Sequence, residues 1–438
     1  MIKILESKEA SFEANFKEIL NRASMDMYNI IPSVLKTLQD IKTAKDESVV
    51  LKLVSSYDSW NPKSLDELTI SPNDMKEAYN KLDSKTKKSL KVAFDRIYKF
   101  HSMQVQNGFI HYEDNGNLLG QNIRAVKRAG LYIPGGKAAY PSSLLMNAVP
   151  AIVAGVKELV VTSPAPGGEL NHTLLASMHM CDIKEAFKIG GVGAIGLMAY
   201  GTKSSSLDIK RVDVITGPGN IYVATAKKLV YGDVNIDMIA GPSEIGIIAD
   251  ESANPKILAT DLLSQAEHDE LASSFLITPS LNLAKDTQKE IDEILKTLPR
   301  KPIASKSIDL RGAIIVTKDI KECIALMDEI APEHLEVCVN DPMSLLPFIQ
   351  NAGAIFIGHN TSEAIGDYLA GPNHTLPTGG SARFFSPLSV ENFYKKTSLI
   401  SFSKEGLKEV GQDCIVLAQN EGLEAHALSV SERLRLMK

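Results

Sequence analysis

The stretch Val212-Asp213-Val214-Ile215-Thr216-Gly217-Pro218-Gly219-Asn220-Ile221-Tyr222-Val223-Ala224-Thr225-Ala226-Lys227-Lys228-Leu229-Val230 decides the fold class. Its β-branched start predicts a strand over 212–215. Gly217-Pro218-Gly219 then forces a turn, and a helix is expected over 221–230. Strand, glycine turn and helix in that order form the repeating unit of a parallel α/β sheet. Working outward, the same rhythm predicts strands near 158–162, 186–189, 246–249, 274–278, 313–316 and 354–357. Helices are expected at 142–156, 170–180, 194–200, 255–268, 281–298 and 342–351. Right-handed crossovers would join such strands, with ligands held at their carboxyl ends beside turns such as Gly190-Gly191, Gly217-Pro218-Gly219 and Gly358.

The flanks read differently. The first hundred residues are nearly strand-free, with apolar residues at spacings of three and four over 11–22, 45–57 and 86–106, the mark of amphipathic helices. Beyond about Ser386 the rhythm stops, leaving loop, one short strand and a helix starting near Gly422, a tail more than a domain.

A chain of 438 residues exceeds one ordinary core, so two lobes with appendages are expected. Its net charge of −6 carries no basic excess, which argues against nucleic acid as a partner. Cys181, Cys323, Cys338 and Cys414 form no Cys-x-x-Cys pair and suit a reducing compartment. The opening Met1–Ser7 turns polar too early for a secretory signal. The apolar run Leu144–Thr162 is broken by Asn147, Pro150, Lys157 and Glu158, so no membrane span is expected. The expected location is the cytoplasm.

Several segments carry groups capable of chemistry. Gln265 and His268, three apart at the end of a predicted helix, could reach one metal ion; the ordinary reading is a solvated helix end. In Ala331-Pro332-Glu333-His334-Leu335-Glu336, Pro332 suggests a turn or helix start, and Glu333 with His334 could act as two proton-transfer groups. Asp367 opens a region rich in Gly, Pro and small polar residues through Gly380, where it could ligate a metal or cap a turn. His426 in the tail is ordinarily a surface residue. Four nitrogen and oxygen donors without thiolates would suit a zinc site open to substrate. Gly191-Val192-Gly193-Ala194-Ile195-Gly196 matches a dinucleotide fingerprint, with Asp213 as a possible ribose-binding acid; such short glycine patterns also arise by chance.

Together these segments resemble histidinol dehydrogenase. The resemblance rests on Ile236–Glu244 running into Leu262–His268, with Leu131–Gly136, Tyr140–Ser143, Gly217–Asn220, Ala331–Glu336 and the Asp367–Gly380 loop, in order from about Arg124 to His426. It implies two incomplete Rossmann-like lobes with parallel sheets, a helical N-terminal region and a C-terminal tail, in an intertwined homodimer. The implied divisions are a segment at 1–26, a main lobe from 27–131 and 243–388, a cofactor-side lobe at 132–242 and a tail at 389–438. It further implies one zinc per subunit at Gln265, His268, Asp367 and His426, with Ser243, His334, His374 and Glu421 also contacting L-histidinol. His334 would be the base for alcohol oxidation, and Glu333 would activate water for the aldehyde step. NAD would lie near Tyr132, Gly193 and Asn220, and Glu421 and His426 would come from the second subunit. Similar enzymes carry glutamine at the position of Gly193 and do not use the ordinary fingerprint, which puts one dinucleotide contact in question. The competing expectation is a zinc-dependent hydrolase with Glu333 as base. A third is a binding protein without turnover.

Overall fold

The computed structural model describes residues 1–22, 27–44, 46–135 and 140–437. Lys45, Gly136 and positions 23–26 of the expected N-terminal segment lie outside the described residues. The chain divides into two compact units. The first comprises 1–104 and 126–393, and the second 105–125 and 394–438.

The first unit contains two parallel sheets. One has six strands in the order Lys3–Glu6, Ala313–Val316, Ser273–Thr278, Glu244–Ala249, His334–Cys338 and Ala354–Ile357. The other has five, in the order Asn235–Ile236, Val214–Thr216, Arg128–Tyr132, Glu158–Ser163 and Glu185–Lys188. Central strands such as Glu244–Ala249 and Arg128–Tyr132 are buried throughout, as strands covered on both faces must be. The expected α/β architecture with parallel sheets is therefore what the chain adopts.

The core of the five-stranded sheet includes Phe187, Ile195, Met198, Ile215 and Val223, together with Val34, Leu38, Val50 and Val54 from the N-terminal helices Ile31–Thr43 and Ser48–Tyr57. The expected boundary between 131 and 132 falls inside a strand whose two edges are both paired within this sheet.

The first hundred residues are nearly strand-free, as expected; the short strand Lys3–Glu6 is an edge strand whose partner lies far along the chain. Three local expectations are corrected. His334 opens a strand instead of sitting on a turn or helix start. A left-handed Ala331 ends the preceding helix, and the buried run His334–Cys338 extends between two neighbours. The expected helix at 342–351 is two 3-10 turns, Pro342–Ser344 and Leu346–Phe348, since Pro347 cannot continue an α-helical ladder. Finally, the tail contains a long helix, Lys404–Asn420, before the expected one at Glu424–Arg435.

The second unit pairs those helices with an antiparallel sheet of Tyr394–Ser401, Leu118–Ala125 and Phe109–Tyr112. Gly406 and Gly411 permit close packing there: a Cβ at Gly406 would lie 2.0 Å from Asn117 Oδ1, and one at Gly411 would lie 3.0 Å from Leu434 Cδ1. Among the described residues no helix is long and apolar enough to cross a membrane.

Candidate active site

The catalytic candidates meet at the amino ends of neighbouring strands in the six-stranded sheet. This departs from the expectation of ligands at carboxyl ends. Ile245 is paired with His334, so Ser243 and Glu244 lie beside Glu333 and His334. Gln265 lies in the last turn of helix Pro255–Ala266, which precedes strand Ser273–Thr278, and His268 stands in the following turn instead of on the helix.

His334 is nearly fully buried. Its Nδ1 lies 3.0 Å from the Glu244 carbonyl, which can only accept, so Nδ1 carries the proton. Nε2 is then free to bind a proton. It has no hydrogen-bond partner among the described residues and lies 3.7 Å from Asp367 Oδ1. Burial lowers the pKa of this imidazole, but Glu333, Asp367 and Glu363 outweigh that effect and push it up to about 10. Glu333 Oε2 accepts from the Glu244 amide at 2.9 Å and lies 3.6 Å from His334 Nδ1. Burial pushes the Glu333 carboxyl up to about 8 and that of Glu244 up to about 7.

Asp367 sits on the short helix Glu363–Tyr368. His374 donates from Nδ1 to the Asp367 carbonyl at 3.0 Å, leaving its Nε2 unprotonated; burial lowers its pKa. Sequence reading passed over Glu363, one turn before Asp367 on the same helix face. The carboxylates of Glu363 and Asp367 and the imidazole of His268 place ligand atoms within 4.8 Å of one another. Gln265 is buried; its amide nitrogen faces Glu363 at 2.7 and 3.3 Å while its oxygen accepts from the Glu244 amide at 3.2 Å. Ser264 Oγ also donates to Glu363 Oε2 at 2.8 Å. The signal that could have revealed Glu363 is two carboxylates spaced by four on one helix.

This donor set of imidazole nitrogen and hard oxygens, surrounding a concentration of negative charge, fits a divalent cation such as zinc. A cation there would offset the carboxylates that hold the His334 proton.

The dinucleotide-side candidates lie on the five-stranded sheet. Tyr132 is buried, its hydroxyl accepts from the Gly191 amide at 3.4 Å, and burial pushes its pKa up to about 12. Asn220 caps helix Ile221–Val230 by accepting from the Tyr222 and Val223 amides. Gly193 is buried in helix Gly191–Tyr200, where a Cβ would come within 3.1 Å of Ile189 and 3.3 Å of Leu53. Asp213 does not stand at a ligand-binding edge. It accepts the Lys127 and Arg128 amides, both at 3.0 Å, where strand Arg128–Tyr132 begins. Glu421 and His426 are exposed and belong to the second unit: Glu421 is the C-cap of helix Lys404–Asn420, and His426 lies in the first turn of helix Glu424–Arg435.

Comparison with known proteins agrees across the whole chain. The family model described as histidinol dehydrogenase matches residues 20–434. The chain is 58% identical over 433 residues to histidinol dehydrogenase of Wolinella succinogenes, covering 99% of each chain. It is 55% identical to that of Helicobacter hepaticus, covering 100% of this chain and 99% of the relative. The crystal structure of histidinol dehydrogenase from Elizabethkingia anophelis superposes with a TM-score of 0.90 at 34% identity, covering 100% of this chain and 98% of that one. The chain belongs to the histidinol dehydrogenase family.

Proposed function

We propose that the chain oxidises L-histidinol to L-histidine through L-histidinal, in the last two steps of histidine biosynthesis. The observation that carries this reading is the buried, unpartnered His334 Nε2 facing Asp367, beside the ligand-atom cluster of His268, Glu363 and Asp367. Gln265, His268 and Asp367, with His426 and Glu421 of a second copy in a homodimer, are the proposed groups for one zinc per subunit and for substrate. Ser243 and His374 would complete the substrate contacts. When bound, zinc supplies a Lewis-acidic anchor for an imidazole-bearing alcohol, and NAD, near Tyr132, Gly193 and Asn220, accepts hydride.

The chain's own residues move the protons. With Nδ1 fixed on the Glu244 carbonyl, His334 takes the alcohol proton at Nε2. Glu333 then serves the aldehyde step. One of its oxygens is held by the Glu244 amide, and the other is available to draw a proton from attacking water. A carboxyl raised to about 8 gives and takes protons near neutrality. The hydrolase alternative is not carried forward, because the family is that of a dehydrogenase.

The test is NADH formation from L-histidinol. Two NADH per substrate are expected, abolished by a chelator and restored by zinc. Turnover that is indifferent to thorough metal removal would overturn the zinc assignment, and absence of NADH would overturn the reaction.

A further inference from the structure

We propose that Glu336 is a positioning residue: it ties the helices that carry Gln265 and Asp367 to the strand that carries His334, and so sets the metal-binding geometry. The inference rests on the zinc reading above.

Glu336 stands two residues after His334 on strand His334–Cys338, so both side chains leave the same face of the sheet. It is 0% exposed, and its Oε1 accepts from the Glu363 amide at 2.8 Å. Helix Glu363–Tyr368 has only six residues, and Ser362 at its start makes no side-chain cap. So short a helix has little stability of its own, and its direction is set by what it docks against. Glu336 supplies the missing cap. Phe356, paired with Glu336 on the adjacent strand, supplies the floor. A Cβ at Gly366 would come within 2.5 Å of the Phe356 ring, whose centroid lies 5.8 Å from that of His334. Asp367 follows Gly366 directly, so these two contacts decide where its carboxylate meets His334 Nε2.

Glu336 also reaches the second helix. Its carboxyl is hydrogen-bonded to that of Asp261 on helix Pro255–Ala266. Two carboxyls join in this way only when one of them carries a proton. Asp261 and Gln265 are four apart and share one face of that helix. Between them, Ser264 Oγ reaches both the Asp261 carbonyl and the Glu363 carboxylate, each at 2.8 Å. One buried side chain thus connects three segments that sequence leaves unconnected. An apolar pair of matching shape would fill the same space with little or no loss of stability. What the carboxyls add is direction, because hydrogen bonds behind metal ligands fix their orientation.

The test is calorimetric titration of zinc into the metal-free, full-length chain, with the thermal midpoint of the metal-free chain measured alongside. In Asp261→Leu/Glu336→Met the apolar side chains copy the outlines of the carboxyls. This double variant should keep its midpoint within about 4 °C yet bind zinc roughly tenfold to a hundredfold more weakly. Glu336→Gln, which can still accept from Glu363 and donate to Asp261, should retain zinc affinity. Gly366→Ala, which touches neither carboxyl but drives the helix off Phe356, should weaken zinc at least roughly tenfold. The inference is overturned if the double variant or Gly366→Ala binds zinc as tightly as the unaltered chain, or if Glu336→Gln loses as much as the double variant. If the double variant fails to fold, Gly366→Ala decides. An unaltered chain that binds no zinc overturns the zinc reading itself, and this inference with it.

Discussion

Replacing Lys227 by methionine should destabilise the unit that holds the five-stranded sheet sharply. Lys227 Nζ is paired with Asp237 and donates to the Gly217 carbonyl at 2.9 Å; the two side chains are 2% and 0% exposed. Asp237 in turn accepts from the Gly217 amide at 2.8 Å and from Met238 at 2.6 Å. The pair thus clips the turn after strand Val214–Thr216 to the segment after Asn235–Ile236. Methionine preserves most of the side-chain volume but leaves a buried carboxylate without its cation and a carbonyl without its donor. Breaking a buried pair on one side costs about 3–5 kcal/mol. At roughly 2–4 °C per kcal/mol, the unfolding midpoint should fall by about 6–20 °C. Differential scanning calorimetry at pH 7 reads this directly. Adding Asp237→Asn to Lys227→Met should recover a substantial part, since it removes the stranded charge. A midpoint within about 2 °C of the unaltered chain, for Lys227→Met alone, would refute the reasoning.

Three further outcomes are expected. His334→Ala should slow the first oxidation by roughly two to four orders of magnitude, the usual worth of a general base, as measured in stopped-flow NADH formation; near-full activity would remove His334 from its proposed role. Burial beside Asp261 pushes Glu336 up to about 9, and burial pushes Glu333 up to about 8, so the folded chain retains protons that the unfolded chain releases near 4.5. The contribution of these two groups to stability is therefore full below about pH 4.5 and declines toward pH 9. Glu336→Gln should flatten that decline in thermal unfolding across pH 6–9, and an unchanged slope would contradict it. Mixing His426→Ala with Gln265→Ala subunits should regenerate activity if sites are shared between copies, whereas verified heterodimers without recovery would exclude sharing.

Much of the fold was readable because a buried parallel strand and an amphipathic helix each impose a local pattern. The 313–316 and 354–357 strands and helix 221–230 fall where periodicity put them. Omissions and misreadings arose where distant partners override local preference. Lys3–Glu6 is a strand because Ala313–Val316 offers it a ladder, and His334–Cys338 is one because two neighbours flank it. In the tail, helix Lys404–Asn420 contains Gly406 and Gly411, which weaken a local helical pattern but permit close approach to Asn117 and Leu434. At the site, residue types suggested chemistry at Gln265, His268, Glu333, His334 and Asp367, but no local rule brings those segments together. The fold places Glu363 among them; its spacing of four from Asp367 was the one local hint, and such a pair on a short helix resembles any solvated one.

The edge strand Lys3–Glu6 has a consequence for biosynthesis. At a translation rate of roughly 5–20 residues per second, the ~310 positions between Lys3 and its partner Ala313 take on the order of 15–60 s to appear. Throughout that interval Ile2, which the finished sheet buries, and Ile4 beside it have no ladder to join. A segment made about 310 residues before its partner is thus among the last to dock. The nascent chain must keep a short apolar ribbon from pairing with other polypeptides until most of the message has been read.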